Sequence, residues 1–188
     1  MNQVMQDLPD KNALHQLYLS RLEKTQIAMK KNGIPVMLVI DPVNIFYITG
    51  ASNMTIFSIR TPSRYLLLFA EGPCILFDYF GCEHLAEDLP TIDEIRPAHG
   101  LCFVSANQKV EENVQHLATE IHSLVQSNGG EIGRLAIGRF PYPLVDALRE
   151  KGFVISDADT VMHSARSTKL AIELPYIREA MRLSLIHI

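Results

Sequence analysis

The pattern of apolar and polar positions predicts alternating helices and strands along most of the chain. Apolar residues fall near one face of a helical repeat between Asn12 and Asn32. The continuous apolar run from Val36 to Ile40 follows, and its β-branched residues indicate a strand that is buried on both faces. Because a proline comes directly after Asp41, the strand should end there, and Asp41 is expected to cap a short helix that closes at Gly50.

The same alternation continues to the end of the chain. Two apolar runs, Arg64–Ala70 and Cys74–Tyr79, flank a Gly/Pro turn and predict a β-hairpin. Apolar residues at helical spacing between Val110 and Val125 form the cleanest amphipathic pattern. The other predicted elements are strands at Asp93–Pro97, Arg134–Ile137 and Phe153–Ile155, and helices at Tyr142–Lys151, Asp159–Lys169 and Ala171–Leu183. This order predicts an α/β fold, a mixed β-sheet flanked by helices on both faces and followed by a C-terminal linker helix.

Composition limits the size of the protein and the kind of partner. With 188 residues, 47% of them apolar and 20% charged, the chain is expected to form one sizeable domain with an ordinary core. Its 17 basic and 21 acidic side chains give a formal net charge of −4. Nucleic acid is therefore not expected as a partner, because phosphate binding needs a concentrated basic face.

Hydropathy and cysteine usage predict a cytoplasmic protein. The most apolar stretch, Ile34–Ile40, is far shorter than the roughly 20 residues that cross a bilayer, so no membrane partner is expected. Residues Met1–Asp10 are polar and acidic, unlike a secretory signal peptide. Cys74, Cys82 and Cys102 are odd in number and lack CxxC spacing, so free thiols in a reducing compartment are expected.

One dense group of carboxylate and imidazole side chains precedes the middle of the chain. It consists of Asp78, Glu83, His84, Glu87 and Asp88. Its i, i+4 pairs could offer metal ligands on a helix, but a charge run of this kind is more typical of a solvated helix face. His99 has no identifiable base or nucleophile partner. The sequence therefore predicts no catalytic residue and no metal ligand in this chain.

Three segments in order resemble the N-terminal domain of the creatinase/prolidase family, the Xaa-Pro-peptidase-like "pita-bread" metallohydrolases. They are the helix end at Arg21–Ile34, the stretch Asp41–Gly50 (DPVNIFYITG), and Arg166–Lys169 followed by Glu173–Ala180. The last segment is similar to the family's linker into the catalytic domain. The resemblance divides the chain into an N-terminal-like domain at 1–165 and, at 166–188, a linker and the start of a truncated catalytic domain. Leu183–Ile188 stop without a cap or a polar end, so they are either native sequence or a foreign tail, with the foreign tail slightly favoured.

A further segment, from Ser52 to Tyr65, narrows the resemblance to one branch of the family. That branch includes dimethylsulfoniopropionate lyases, which carry a similar "NM" followed by "NP.R". Phe57 and Thr61 stand where those lyases have a tryptophan and an asparagine. These departures favour a generic peptidase-like relative.

The resemblance implies that catalysis resides outside this chain. The family's divalent metal pair is held in the C-terminal domain by two Asp, one His and two Glu, and such a pair activates water and polarises the substrate carbonyl. The fragment itself is expected to hold no cofactor and to be inactive alone. The N-terminal domain is implied to support a homodimer and to narrow access of a peptide or small-molecule substrate.

The loop Ser52–Arg64 is the candidate for that access role. The predicted substrate contacts are Arg60, Arg64, Asn53, Phe57 and Tyr47. The two arginines could donate to a substrate carboxylate, and the two aromatic rings could form an apolar wall. Each has a structural alternative: Tyr47 as core, Arg64 as a surface residue at a strand start, and Asn53 as a brace for the loop.

Alternative functions stay open at this level. Within the family these are a lyase or an amidinohydrolase, and outside it a stand-alone binding or interaction module. A phosphate-binding domain is disfavoured because Gly129, Gly130 and Gly133 lie between a helix and a strand, the reverse of the order in phosphate-binding loops.

Overall fold

The computed structural model describes residues 10–185. The helices are α1 (Lys11–Lys31), α2 (Pro42–Thr49), α3 (Thr55–Arg60), α4 (Phe103–Ala106), α5 (Val110–Ser127), α6 (Tyr142–Glu150), α7 (Ala158–Ser167) and α8 (Leu174–Leu185). The strands are β1 (Val36–Val39), β2 (Tyr65–Phe69), β3 (Cys74–Asp78), β4 (Glu94–Pro97), β5 (Arg134–Ile137) and β6 (Val154–Asp157). The predictions about the first nine residues and about the end of the Leu183–Ile188 tail lie outside the described residues.

The strands form one mixed sheet in the order β4-β3-β2-β1-β5-β6. Strand β2 is antiparallel to both β1 and β3, whereas β1 with β5, β3 with β4, and β5 with β6 are parallel pairs. Every strand except β2 therefore points the same way. Their carboxyl ends, together with the start of β2, meet along one edge of the sheet, which we call the carboxyl edge.

Helices cover both faces of the sheet, as the sequence predicts. In β1, Val36 and Leu38 pack into a core with α5 and α6, whereas Met37 and Val39 pack into a second core with α1, α2 and α7. Side chains alternate between the two faces of a strand, so a strand between two helical layers must be apolar at every position. This explains the unbroken apolar run of β1 and confirms the predicted fold class.

Local chemistry at the helix ends also follows the prediction. The Asp41 side chain accepts a hydrogen bond from the backbone N–H of Asn44 at 2.9 Å and so caps α2. Gly50 ends α2 in the left-handed region, with φ 80°. Pro175 is the second residue of α8, where the missing N–H costs no helical hydrogen bond.

The structure differs from the prediction in two places. Residues 55–60, expected to be part of a loop, form α3, and the short helix α4 was not predicted. The α3 segment has only apolar and small polar side chains before Arg60, so it shows no amphipathic period that would mark a helix. Within residues 10–185, none of the helices combines the length and the apolar character needed to cross a membrane.

Candidate functional site

The carboxyl edge collects most of the residues that the sequence singles out. A cavity of about 300 Å³ lies there, where the segments that follow β1 and β5 face α3. Its charged lining residues are Asp41, Arg60 and Arg139. The Nη1 atom of Arg139 lies 3.9 Å from Asp41 Oδ2, and the Arg139 side chain is 73% exposed. Two arginines beside one carboxylate leave a net positive charge, which suits a small anionic group.

Helix α3 forms one wall of this cavity and presents a row of apolar side chains to solvent. Ile56 is 79% exposed, Ile59 63% and Phe57 43%, while Ser58 is buried. Ser58 Oγ lies 3.1 Å from the Tyr79 hydroxyl, and the rings of Phe57 and Tyr79 are 6.0 Å apart. Burial raises the pKa of Tyr79, although its hydrogen bond with Ser58 opposes that shift. Tyr79 therefore stays a neutral phenol that anchors α3.

Beneath α3 lies a buried polar cluster. Arg64 is 1% exposed and its Nε lies 3.0 Å from Asp78 Oδ2. The two atoms meet as an ion pair and not as an aligned hydrogen bond, and the Arg64 Nη atoms have no hydrogen-bond partner among residues 10–185. Asp78 Oδ1 accepts from Asn53 Nδ2 at 3.0 Å. The cluster ties the start and the end of the α3 segment to β3.

Two structural expectations are corrected by this cluster. Arg64 is not a surface residue at the strand start, because its guanidinium pairs with Asp78 in the interior. Asp78 in turn does not belong to a solvated helix face, since it is 1% exposed at the end of β3. Asn53 does brace the loop, as one alternative held, but through the Asp78 carboxylate of another element.

The five predicted substrate contacts do not line one common surface. Arg60 and Phe57 lie on α3 at the carboxyl edge, Phe57 exposed enough to meet a ligand. Asn53 and Arg64 lie below α3. Tyr47 is 7% exposed on α2, where its ring lies under the guanidinium groups of Arg21 and Arg166. The substrate role of all five stays a prediction, and Tyr47 takes the core position that the sequence offered as its alternative.

His99 has a partner that sequence spacing does not reveal. Its Nε2 lies 3.1 Å from Glu120 Oε2 on α5, and Arg96 Nη1 donates to the other oxygen of the same carboxylate at 2.8 Å. The His99 backbone N–H donates to the Tyr65 hydroxyl at 2.8 Å. The expectation that His99 stands alone was therefore wrong, because Glu120 is 21 residues away in sequence and arrives only when α5 packs on the sheet.

The described residues offer no ligand set for the implied metal pair. Within 10–185, no group of three or more His, Cys, Asp or Glu side chains could hold a metal ion. Glu83 and His84 fall in one short turn of 3₁₀ helix at 83–85. The longer helix that could have offered paired ligands, an interpretation that the sequence already disfavoured, does not form there. No chemical step through a metal can be assigned to these residues.

A second cavity, of about 500 Å³, lies at the opposite edge of the sheet, between the ends of α1 and α5. The ion pair of Lys30 and Glu71, 3.0 Å apart, lies beside it, and both side chains are largely exposed. Its other lining residues are mostly glycine and apolar residues. The larger cavity therefore offers fewer charged groups that could select a ligand than the cavity at the carboxyl edge.

Comparison with known proteins identifies related domains. Residues 21–168 match the Creatinase/Prolidase N-terminal domain. The dimethylsulfoniopropionate lyase DddP of Roseobacter denitrificans is 31% identical over 172 residues, which cover 92% of this chain but 38% of that protein. The Xaa-Pro dipeptidase of Bacillus anthracis superposes with a TM-score of 0.57 at 15% identity, covering 86% of this chain and 39% of that one. The prolidase of Pyrococcus horikoshii gives a TM-score of 0.55 at 20% identity, covering 88% and 40%.

Proposed function

Because this chain belongs to the creatinase/prolidase family, whose N-terminal domain it carries, we propose that it is the non-catalytic part of a metal-dependent, Xaa-Pro-peptidase-like hydrolase. The supporting observation is the length of the match. The matched region covers 92% of this chain but only 38% of the relative, so the relative is much longer. In the proposed protein the missing length supplies the metal ligands and the catalytic groups. The present domain supports a homodimer and limits access to the active site.

The carboxyl edge is the surface proposed for the access role. It combines exposed apolar side chains on α3 with the two arginines of the cavity. An apolar wall beside a cation fits a small peptide or another short substrate that ends in a carboxylate. Phe57 and Arg60 are the two predicted contacts that reach solvent there.

A family lyase is the second candidate function. The relative with 31% identity is named a dimethylsulfoniopropionate lyase, whereas the peptidase structures are similar at 20% identity or less and support the fold alone. Phe57 and Thr61 still depart from the lyase pattern. The reaction must therefore be decided by experiment.

The test begins with the coding sequence beyond the codon for Ile188, determined from an independent template. We expect it to continue into a domain with two Asp, one His and two Glu, and the longer protein is then purified with divalent metal. Hydrolysis of Xaa-Pro dipeptides would support the peptidase proposal, and release of dimethyl sulfide from dimethylsulfoniopropionate would support the lyase. Light scattering on the same sample measures whether it is a dimer.

The 188-residue chain is the matched control, and we expect it to be inactive toward both substrates. Metal-dependent cleavage by this chain alone would contradict the non-catalytic assignment. A stop codon directly after Ile188 would instead favour the stand-alone binding module.

A further inference from the structure

Side chains of α1 and α2 hold the segment between α7 and α8 to the rest of the domain. Lys24 on α1 donates to the Thr168 carbonyl, and five further side chains form one connected group. These are Arg21 on α1, Asn44 and Tyr47 on α2, Arg166 at the end of α7, and Glu173 just before α8. We call this group the linker clamp. It joins residues from both ends of the chain, and its members come from each of the three segments that carry the family resemblance.

Glu173 is the buried end of the clamp. Its carboxylate is 2% exposed and accepts a hydrogen bond from Arg21 Nε at 2.8 Å and from the Leu170 backbone N–H at 2.7 Å. A buried carboxylate is strongly held to such donors, because breaking either contact leaves one of its buried oxygens without a hydrogen-bond donor. The residue immediately before α8 is thereby fixed against α1.

Arg166 is the second anchor of the clamp. Its Nη1 donates to Asn44 Oδ1 at 2.7 Å. Both arginines also pack on the Tyr47 ring, with the Arg21 Cζ 4.8 Å and the Arg166 Cζ 5.6 Å from its centroid. Burial, and then the nearby Glu173 charge, raise the pKa of Tyr47, so its hydroxyl stays protonated and donates to the Ala165 carbonyl at 3.4 Å.

Helix α8 is largely exposed beyond its first turn. Leu174 is 40% exposed and Met181 60%, and the residues between 178 and 184 are all exposed. A helix of 12 residues is a stiff rod about 18 Å long. The contacts just before its first residue therefore influence where its far end lies.

We propose that the linker clamp sets the direction in which α8 leaves the domain. In a longer protein, the five residues would then act as positioning residues for the domain that follows α8. That role in a longer protein rests on the proposed function. The role differs from the substrate wall predicted for Tyr47, because the ring faces two arginines of its own domain.

The direction of α8 can be measured on the 188-residue chain itself. Spin labels are attached at Gln126→Cys on α5 and Met181→Cys on α8, after Cys82 and Cys102 are replaced by serine. Pulsed electron resonance then gives the distribution of distances between the two helices. We expect one narrow distribution for the parent chain, because the clamp holds α8 in one orientation.

Glu173→Ala and Arg166→Gln should each broaden that distribution, whereas Glu179→Gln, on α8 but outside the clamp, should leave it unchanged. Amide exchange at Leu170 should become about tenfold faster or more in Glu173→Ala, as expected for the loss of a hydrogen bond to a charged group. Glu173→Gln keeps an acceptor oxygen and should restore part of the protection and of the narrow distribution.

Unchanged distance distributions in both clamp variants would overturn the proposal, even if Leu170 exchanged faster, since the clamp would then only stabilise the fold locally. Circular dichroism checks that each variant is folded. If Glu173→Ala unfolds, the test rests on Arg166→Gln, since Arg166 is only half-buried and its replacement is better tolerated. The distance measurement does not depend on enzymatic activity. Its result would therefore stand even if the longer protein lacked the proposed function.

Discussion

Among single residues, the Arg64–Asp78 pair places the largest electrostatic demand on the fold. Both side chains are at most 1% exposed, and their closest charged atoms are 3.0 Å apart. Desolvation of two charges costs several kcal/mol, and the pair compensates this only while both partners are present. The pair therefore adds little net stability, but replacing one of its two residues should be strongly destabilising.

Asp78→Asn is expected to lower the free energy of unfolding by about 3–5 kcal/mol, because it leaves the Arg64 guanidinium buried without a counter-charge. Urea unfolding followed by circular dichroism measures the change. Asp146→Asn, which removes an exposed pair with Arg149, is the control and should cost no more than about 0.5 kcal/mol. Equal effects of the two substitutions would show that Asp78 is not buried as described.

Gly50 is a second position where a substitution should be costly, because the backbone leaves no room for a Cβ atom. A Cβ at Gly50 would lie 2.5 Å from the Tyr18 ring, at φ +80°, whereas one at Gly129, at φ +73°, would meet nothing within 4 Å. Gly129→Ala should therefore cost only the left-handed strain of about 1 kcal/mol. Gly50→Ala should cost roughly 1–3 kcal/mol more, because the clash adds to the strain. Thermal unfolding of both variants compares them, and equal losses would contradict the close approach of Tyr18.

At the scale of elements, α7 begins with a capping carboxylate whose charge depends on pH. Asp157 accepts from the backbone N–H groups of Asp159 and Thr160 at 3.0 and 3.1 Å. Its hydrogen bond with the Thr160 hydroxyl, and then these backbone bonds, lower the pKa of Asp157. A lowered folded pKa stabilises the protein above the unfolded value of about 3.9, and this contribution disappears as the pH falls through the folded pKa.

Asp157→Ala is expected to lose about 1 kcal/mol at pH 7, the usual value of an N-cap. Asp157→Asn keeps an acceptor and should lose less. The difference in unfolding free energy between the parent chain and Asp157→Asn should shrink as the pH falls below about 4. Urea titrations at several pH values measure it, and a difference that does not change with pH would argue against a charged cap.

At the scale of the whole molecule, the two helical layers predict a gradient of local stability. Strand β1 has neighbours on both sides and a core on each face, whereas α8 is exposed from residue 178 to residue 184. A helix with so little packed surface opens locally more often than a helix packed on the sheet, although it is helical most of the time. We expect β1 amides to exchange only through global unfolding, and amides beyond residue 178 to exchange far faster.

Hydrogen exchange followed by mass spectrometry or NMR tests this gradient, with α5 as the control because it is a long helix packed on the sheet. Protection of α8 equal to that of α5 would contradict the expectation. It would indicate that the apolar side chains of α8 are covered in solution, for example by a second copy of the chain.

Most of the helices and strands could be predicted from local patterns in the sequence, because their periods and end residues are local properties. The apolar run of β1, the Asp41 cap, the Gly50 stop and the amphipathic α5 all lie where the pattern predicts them, and the order of elements predicts the α/β class. The segment Thr55–Arg60 was missed because its helix has no polar face to mark a period.

The contacts between side chains that are distant in sequence could not be predicted, because they form only when the elements pack. Arg64 finds Asp78, His99 finds Glu120, and Tyr47 finds Arg21 and Arg166, across separations in sequence from 14 to 119 residues that no local period records. These partners decide whether a charged or aromatic side chain is a ligand contact, a brace or part of the core. Burial and pairing depend on packing between elements, and packing is a property of the whole fold.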